Sequence, residues 1–168
     1  MEVRLLTPDD AKVYWEMRLE ALKNHPEAFA TSYEEALQRK NPIEQVASRL
    51  KGEGDYTFGA FQGDALIGAV TLVQDKITKM KHRAHIVAMY VNPNHRRSGA
   101  GKALVAAAIS HAKEFSEIIK INLTVVSSNE KAKKLYTSLG FKTYGIEEKA
   151  LNVNETYYDE ELMVLFLK

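Results

Sequence analysis

The chain has 168 residues, of which 23 are basic and 22 acidic, for a formal net charge of +1. That length fits one domain, residues 1–168, with room for a substantial core, and the near-neutral balance leaves no global field to hold a polyanion, so charge recognition has to be local and nucleic acid is not an expected partner. The absence of cysteine excludes disulfides, thiolate nucleophiles and thiolate metal sites, and it fits a reducing, cytoplasmic setting.

Val3 to Leu6 reads as a short strand. Thr7 and Asp10 then make a capping-box-like start, with Asp in place of the usual Glu, for a helix running toward Lys23 that Asn24, His25 and Pro26 stop. Residues 31–51 read as helical in two pieces, because Pro42 starts a helix more readily than it sits inside one. YTFGAF and ALIGAVTLV flank QGD, a hairpin signal, and HIVAMYV (residues 85–91) is a nearly all-apolar run, the mark of a strand covered on both faces. Gly101 to Phe115 has helical character, IIKINLTVV (118–126) is another strand, and EKAKKLYTSLGF is a helix ending at Gly140. KTYGIEEKALNV and TYYDEELMVLFL close the chain as an antiparallel pair. The order predicts an α/β fold with a mixed sheet, in which strands 85–91 and 118–126 are parallel neighbours joined by a right-handed helical crossover. The longest aliphatic run, Ala103 to Ile109, is far shorter than the roughly 20 residues that span a bilayer, and MEVRLLTPDD has no export-signal character, so no membrane contact is expected.

NPNHRRSGAGKAL, residues 92–104, joins the apolar run to the alanine-rich helix and packs two arginines, two glycines and a lysine into one turn. A buried strand feeding a glycine turn and then a helix aims unpaired backbone N–H groups and the positive helix end at one point, which suits a phosphate. Gly99 and Gly101 let the backbone approach closely, while Arg96, Arg97 and Lys102 add charge-assisted donors, so pyrophosphate is the expected occupant. Two familiar phosphate loops do not fit. GxxxxGK[ST] needs a glycine where Arg96 stands and a hydroxyl where Ala103 stands, and GxGxxG begun at Gly99 meets Leu104 in place of its third glycine. An ordinary helix start with solvated arginines is the alternative.

Arg96-x-x-Gly99-x-Gly101 after a strand resembles the coenzyme A signature R/Q-x-x-G-x-G/A of the GNAT superfamily of N-acetyltransferases. Downstream, Asn129 and Ala132-x-x-Leu135-Tyr136-x-x-Leu139-Gly140-Phe141 resemble the second conserved block of that family. With the element order, the resemblance covers nearly the whole chain, most closely residues 85–141, whereas the first 60 residues match in layout only. It implies a GNAT-like fold with a mixed central sheet of about six to seven strands flanked by helices, whose two central parallel strands splay into a V-shaped slot. Acetyl-CoA is the implied co-substrate, with no metal. Its pantetheine amides would pair with backbone groups around Met89, Tyr90 and Val91, and its pyrophosphate would lie on Arg96, Arg97, Ser98, Gly99, Ala100, Gly101 and Lys102. Pro93 would end the strand ladder.

Acetyl transfer from a thioester to an amine needs a neutral amine, stabilisation of the oxyanion and a proton for the departing thiolate. The resemblance gives the oxyanion a backbone N–H near Met89 and makes Tyr136 the general acid, facing the coenzyme sulfur. Read without it, Tyr136 is a core aromatic among Leu135, Leu139 and Phe141. Asn129 caps the following helix, contacts the coenzyme arm, or does both. Relatives carry a glutamate or histidine base on the strand before the loop; here His85 is the one such residue, with Glu34 and Glu35, in the segment covering the acceptor side in relatives, as alternatives. Each also has a plain reading, a strand-end histidine and a wet helix face.

Residues 147–161 carry Glu147, Glu148, Glu155, Asp159, Glu160 and Glu161 against Lys149 alone, in the hairpin that borders the acceptor site in relatives. Such a strip draws a cationic acceptor, or is a solvated hairpin with gatekeeping charges. KITKMKHR (76–83) has three lysines, a histidine and an arginine with no acid; it reaches the adenosine 3′-phosphate, meets an acidic partner, or is an exposed loop. The leading functional reading is an acetyl-CoA-dependent N-acetyltransferase, a monomer or homodimer. Its acceptor is a primary amine of a small molecule, a peptide or a protein N-terminus. The alternatives are a catalytically silent acyl-CoA sensor and a nucleotide-phosphate-binding protein.

Overall fold

The computed structural model describes all residues from Met1 to Lys168. The first strand, β1 (Glu2–Leu5), gives way to a 3-10 turn over Pro8–Asp10 and then to α1 (Ala11–Asn24). At that start the Asp10 carboxylate accepts the Thr7 backbone N–H at 2.7 Å, and the Arg4 guanidinium donates two further bonds of 2.8 and 2.9 Å to it. After α1, a 3-10 turn over Pro26–Ala28 leads to α2 (Tyr33–Leu37), which opens on a reciprocal cap: Ser32 Oγ accepts the Glu35 N–H, and the Glu35 carboxylate accepts the Ser32 N–H. Pro42 begins α3 (Pro42–Leu50) after Asn41, whose φ of +48° breaks the segment into the two expected pieces.

The hairpin forms as expected from β2 (Asp55–Gln62) and β3 (Ala65–Gln74). There follow β4 (Arg83–Val91), α4 (Ala100–Glu114), β5 (Lys120–Val126) and α5 (Glu130–Ser138), and the chain closes with β6 (Lys142–Val153) and β7 (Thr156–Phe166). Seven strands lie in one mixed sheet in the order β1-β2-β3-β4-β5-β7-β6. Only β4 and β5 are parallel, joined by the crossover through α4. Side chains alternate between the two faces of the sheet. Ile86, Leu104, Ile121, Leu123, Tyr136 and Met163 belong to one core, which α4 and α5 cover. Tyr14, Trp15, Leu22, Val46, Ala69 and Tyr90 belong to the other, which the first three helices cover. No helix is long and apolar enough to cross a membrane.

The central pairing is short. Arg83, Ala84 and His85 stand opposite Lys120, Ile121 and Asn122, and beyond them β4 and β5 part. Within the unpaired stretch Ala88 has a φ of +52°, and the register against β3 slips between Ala69 and Thr71, so a bulge bends β4 where it leaves its neighbour. The apolar run 85–91 is not covered on both faces, because it borders the resulting gap: Val87 is 43% exposed.

The Asp10 carboxyl is held down at about 2, chiefly by the Arg4 hydrogen bonds, against the opposing push of burial and with help from the Thr7 N–H. A depressed folded value contributes stability that is complete above the unfolded value near 3.8 and lost as the pH falls toward 2. Asp10→Asn is therefore expected to lower the melting temperature at pH 7. It should also flatten the acid limb of the melting-temperature profile, which thermal melts across that range will show.

Candidate active site

Beyond Val91 the chain makes a 3-10 turn over Pro93–His95, and Arg97 and Gly99 then adopt left-handed φ values of +65° and +85° before α4 begins at Ala100. The backbone N–H groups of Arg97, Ser98, Gly99, Gly101 and Lys102 donate to no backbone carbonyl. Five donors and the positive end of a four-turn helix thus share one short concave stretch, with the side chains of Arg96, Arg97 and Lys102 exposed around it. A Cβ on Gly101 would stand 3.3 Å from both Met89 Cε and Leu135 Cδ2. The missing side chain lets the loop, β4 and α5 meet at one place.

The loop is tied back to the first half of the chain. Glu20 Oε1, on α1, accepts hydrogen bonds from Tyr90 Oη at 2.8 Å and Asn92 Nδ2 at 2.9 Å. Burial first, and then Glu20, push the Tyr90 phenol up to about 12, so it stays a donor. Arg96 donates through Nε to the Val91 carbonyl at 3.3 Å, and its Nη2 lies 3.0 Å from His25 Nε2.

On the far side of the gap, Asn129 Oδ1 accepts the Ala132 N–H at 3.2 Å and caps α5. That helix places Tyr136 in the core, 6% exposed, with its ring edge-on to Phe141 at 5.9 Å. The Tyr136 hydroxyl has no hydrogen-bond partner in the protein and yet is not sealed from solvent. Burial alone pushes this phenol up to about 12.

The other titratable residues singled out in the sequence fall into separate groups. His85 lies on the sheet face opposite Tyr136, since its neighbours Ala84 and Ile86 point into the Tyr136 core. Its Nε2 is 3.1 Å from Asp75 Oδ2, which also accepts Arg83 Nε at 2.8 Å. At Asp75 burial pushes upward, but the His85 and Arg83 bonds outweigh it and leave the carboxyl below its ordinary value. Glu34 instead lines a cavity of about 570 Å³ between the end of α1, α2 and the β6–β7 turn, with Leu22, Phe29, Tyr33, Leu151 and Asn154. Glu35 is spent on its cap.

The acidic hairpin is partly committed. Glu161 accepts Lys133 Nζ at 3.0 Å and Thr143 Oγ1 at 2.8 Å, and Asp159 accepts the Lys149 N–H at 2.8 Å. Glu160 differs: burial, then the facing Glu147, raise its carboxyl, and the Thr124 hydroxyl beside it offsets part of the rise. Thr124 lies on β5 past its last residue paired with β4, so Glu160 stands near the gap on the His85 face. Sequence reading counted this glutamate only within an acidic strip; the β5–β7 register is what singles it out. The basic segment 76–83 sits at the opposite end of β4 from the loop, roughly 25 Å away along the strand.

Comparison with known proteins points the same way. The model of the "Acetyltransferase (GNAT) family" matches residues 15–141. The chain belongs to the GNAT family. Human N-alpha-acetyltransferase 30 is 34% identical over 84 residues, which are 50% of this chain and 23% of that protein, so the chain spans about a quarter of the length of this relative. Among solved structures, a GNAT acetyltransferase from Streptococcus pneumoniae aligns with a TM-score of 0.87 at 21% identity, covering 99% of both chains. The yncA protein of Salmonella typhimurium, solved with its cofactor acetyl-CoA, aligns with a TM-score of 0.86 at 17% identity over 100% of this chain and 94% of that one. These likenesses establish that the chain has the GNAT fold, with the splayed pair at its centre.

Within this family member, the Glu20 carboxylate ties α1 to the end of β4 through two hydrogen bonds. Glu20→Ala leaves two donors without an acceptor and is expected to cost about 2 kcal/mol in a denaturant-unfolding experiment.

Proposed function

We propose that the chain is an acetyl-CoA-dependent N-acetyltransferase that moves an acetyl group directly to a primary amine bound in the same complex. The observation that carries this reading is an unpaired strand edge that runs directly into a row of free N–H groups, with α5, the helix that carries Tyr136, reaching β4 and the loop at Gly101 through Leu135. The residues fit the parts of the coenzyme. Arg96, Arg97, Ser98, Gly99, Ala100, Gly101 and Lys102 would hold the pyrophosphate. The edge at Met89, Tyr90 and Val91 would take the pantetheine amides as a partial extra strand, and Asn129, whose Oδ1 is used in capping, keeps its Nδ2 donors for the coenzyme arm. When bound, acetyl-CoA supplies an activated acyl group and a good leaving thiolate.

The chain's own groups supply the rest. A backbone N–H near Met89 stabilises negative charge on the acyl oxygen. Tyr136 holds its proton at Oη throughout the neutral range, because burial keeps the phenol at about 12. As general acid, Tyr136 would donate this proton toward the sulfur as charge develops on the departing thiolate.

An alkylamine near the lysine reference of about 10.4 is neutral in roughly one molecule in 2,500 at pH 7, so the site must also take up a proton. Three groups are candidates: His85, Glu34 and Glu160. His85 is engaged by Asp75, whereas Glu160 combines a raised carboxyl with a position beside the gap, and we assign it the role ahead of the other two. Small molecules, peptides and protein N-termini all present the required amine. The reducing, cytoplasmic setting expected from the lack of cysteine belongs to the same proposal.

Tyr136→Phe is expected to lower kcat more than tenfold while leaving the acetyl-CoA dissociation constant within about twofold. Steady-state kinetics with a free-thiol readout, paired with calorimetric titration of acetyl-CoA, measures both; an unchanged kcat would remove Tyr136 from the chemistry.

A further inference from the structure

Two acceptors from different parts of the chain hold the Arg96 side chain. Its Nε donates to the Val91 carbonyl at 3.3 Å, and its Nη2 lies 3.0 Å from His25 Nε2, 71 residues away in sequence. A guanidinium can only donate, so the imidazole is the acceptor here and carries its proton on Nδ1, which stands 3.9 Å from Glu27 Oε1. His25 is itself fixed. It closes α1, where its N–H donates to the Ala21 carbonyl at 2.9 Å and its own carbonyl accepts the Ala28 N–H at 3.1 Å. Its ring lies beside Tyr90, with centroids 6.0 Å apart, and the Tyr90 phenol is bonded in turn to Glu20.

These contacts divide the N–H donors of the guanidinium into two edges. Nε and the Nη2 hydrogen on the same side form one fork, and Val91 and His25 take both. The other edge, made by Nη1 and the second Nη2 hydrogen, meets no acceptor of the protein, and the residue is exposed. Val91 is the last residue of β4, and the free N–H groups of the loop begin at Arg97. The anchored guanidinium therefore stands where the open strand edge gives way to the donor row, with a pair of N–H groups left for an oxyanion. An exposed arginine loses side-chain freedom when it binds an anion, and one already held in place loses less.

We propose that His25 is a positioning residue for the coenzyme: its imidazole Nε2 fixes the Arg96 guanidinium so that the outer edge of that group meets the pyrophosphate. This rests on the acetyl-CoA reading and adds to it a residue from the far end of α1. His25 touches neither the coenzyme nor the acetyl group; it acts through Arg96. What it contributes is the acceptor at Nε2, and the aromatic ring serves to hold that atom in place against Tyr90.

The test is calorimetric titration of the full chain with coenzyme A at pH 8, using two substitutions that separate the ring from the acceptor. His25→Phe keeps an aromatic ring beside Tyr90 and has no acceptor, whereas His25→Gln keeps an acceptor near the position of Nε2. His25→Phe is expected to raise the coenzyme A dissociation constant about tenfold, the worth of one charge-assisted bond, and His25→Gln to hold it within about twofold of the wild-type value. In an Arg96→Met background His25→Phe should add less than about twofold, because the group it positions is gone. Equal losses with Phe and Gln, wild-type affinity with Phe, or a Phe effect that persists in full beside Arg96→Met would each overturn the proposal. Should His25→Phe fail to fold, nitrogen NMR of the isotopically labelled wild-type protein decides it, with the His25 ring identified by its missing signals in His25→Gln. The proton is expected on Nδ1 in the coenzyme complex, and a proton on Nε2, which cannot accept from Arg96, would overturn the proposal. A wild-type protein that binds no coenzyme A fails the acetyltransferase reading itself, whereas binding that His25→Phe leaves unchanged fails the positioning role alone.

Discussion

The architecture turns on a parallel strand pair that stops after three residues. Backbone N–H and C=O groups are rarely left without partners inside a fold, yet here β4 from Ile86 onward and β5 from Leu123 onward each give up a neighbour in the middle of a sheet. Each strand is held from its other side. The first pairs with β3 up to Val91, through the bulge at Ala88, and the second pairs with β7 along all seven of its residues. Cores on both faces fix the two halves of the sheet, so the gap is a stable feature of the packing and the open edges await a backbone-like partner. An amide-bearing chain such as pantetheine has that character.

The two faces of the sheet divide the chemistry. On the α4 and α5 face lie the glycine loop, the cap at Asn129 and the Tyr136 phenol, and these groups are built mainly from free main-chain donors and burial. The α1 to α3 face carries the cavity and the Glu160 carboxyl. Main-chain recognition tolerates sequence change, because any strand-forming residue supplies the same edge. Acceptor recognition does not, which is why a common fold leaves the amine substrate to be read from individual side chains.

The parts legible in the sequence were those that local chemistry dictates. The turn 92–104 was readable as a strand-to-helix turn because its glycines and the helix start lie within a dozen residues, and the Thr7 and Asp10 start was readable because a cap spans three residues. The strand order, by contrast, depends on pairings across the chain. HIVAMYV gave no sign that its covering stops at Val87, since an apolar run looks the same whether it borders a gap or a core. Glu20 is 70 residues from Tyr90, and nothing near either residue announces the bond between them. The contact between His85 and Asp75 was equally hidden, since it depends on the pairing of β3 with β4.

The most direct test of the central claim, that the gap and the loop beyond it form one coenzyme site, is amide hydrogen exchange with and without acetyl-CoA. The account predicts slowed exchange at residues 86–91 and 97–102 together, and none at the basic segment 76–83 at the other end of the strand. Protection confined to 76–83, or spread elsewhere with 86–91 unchanged, would contradict it.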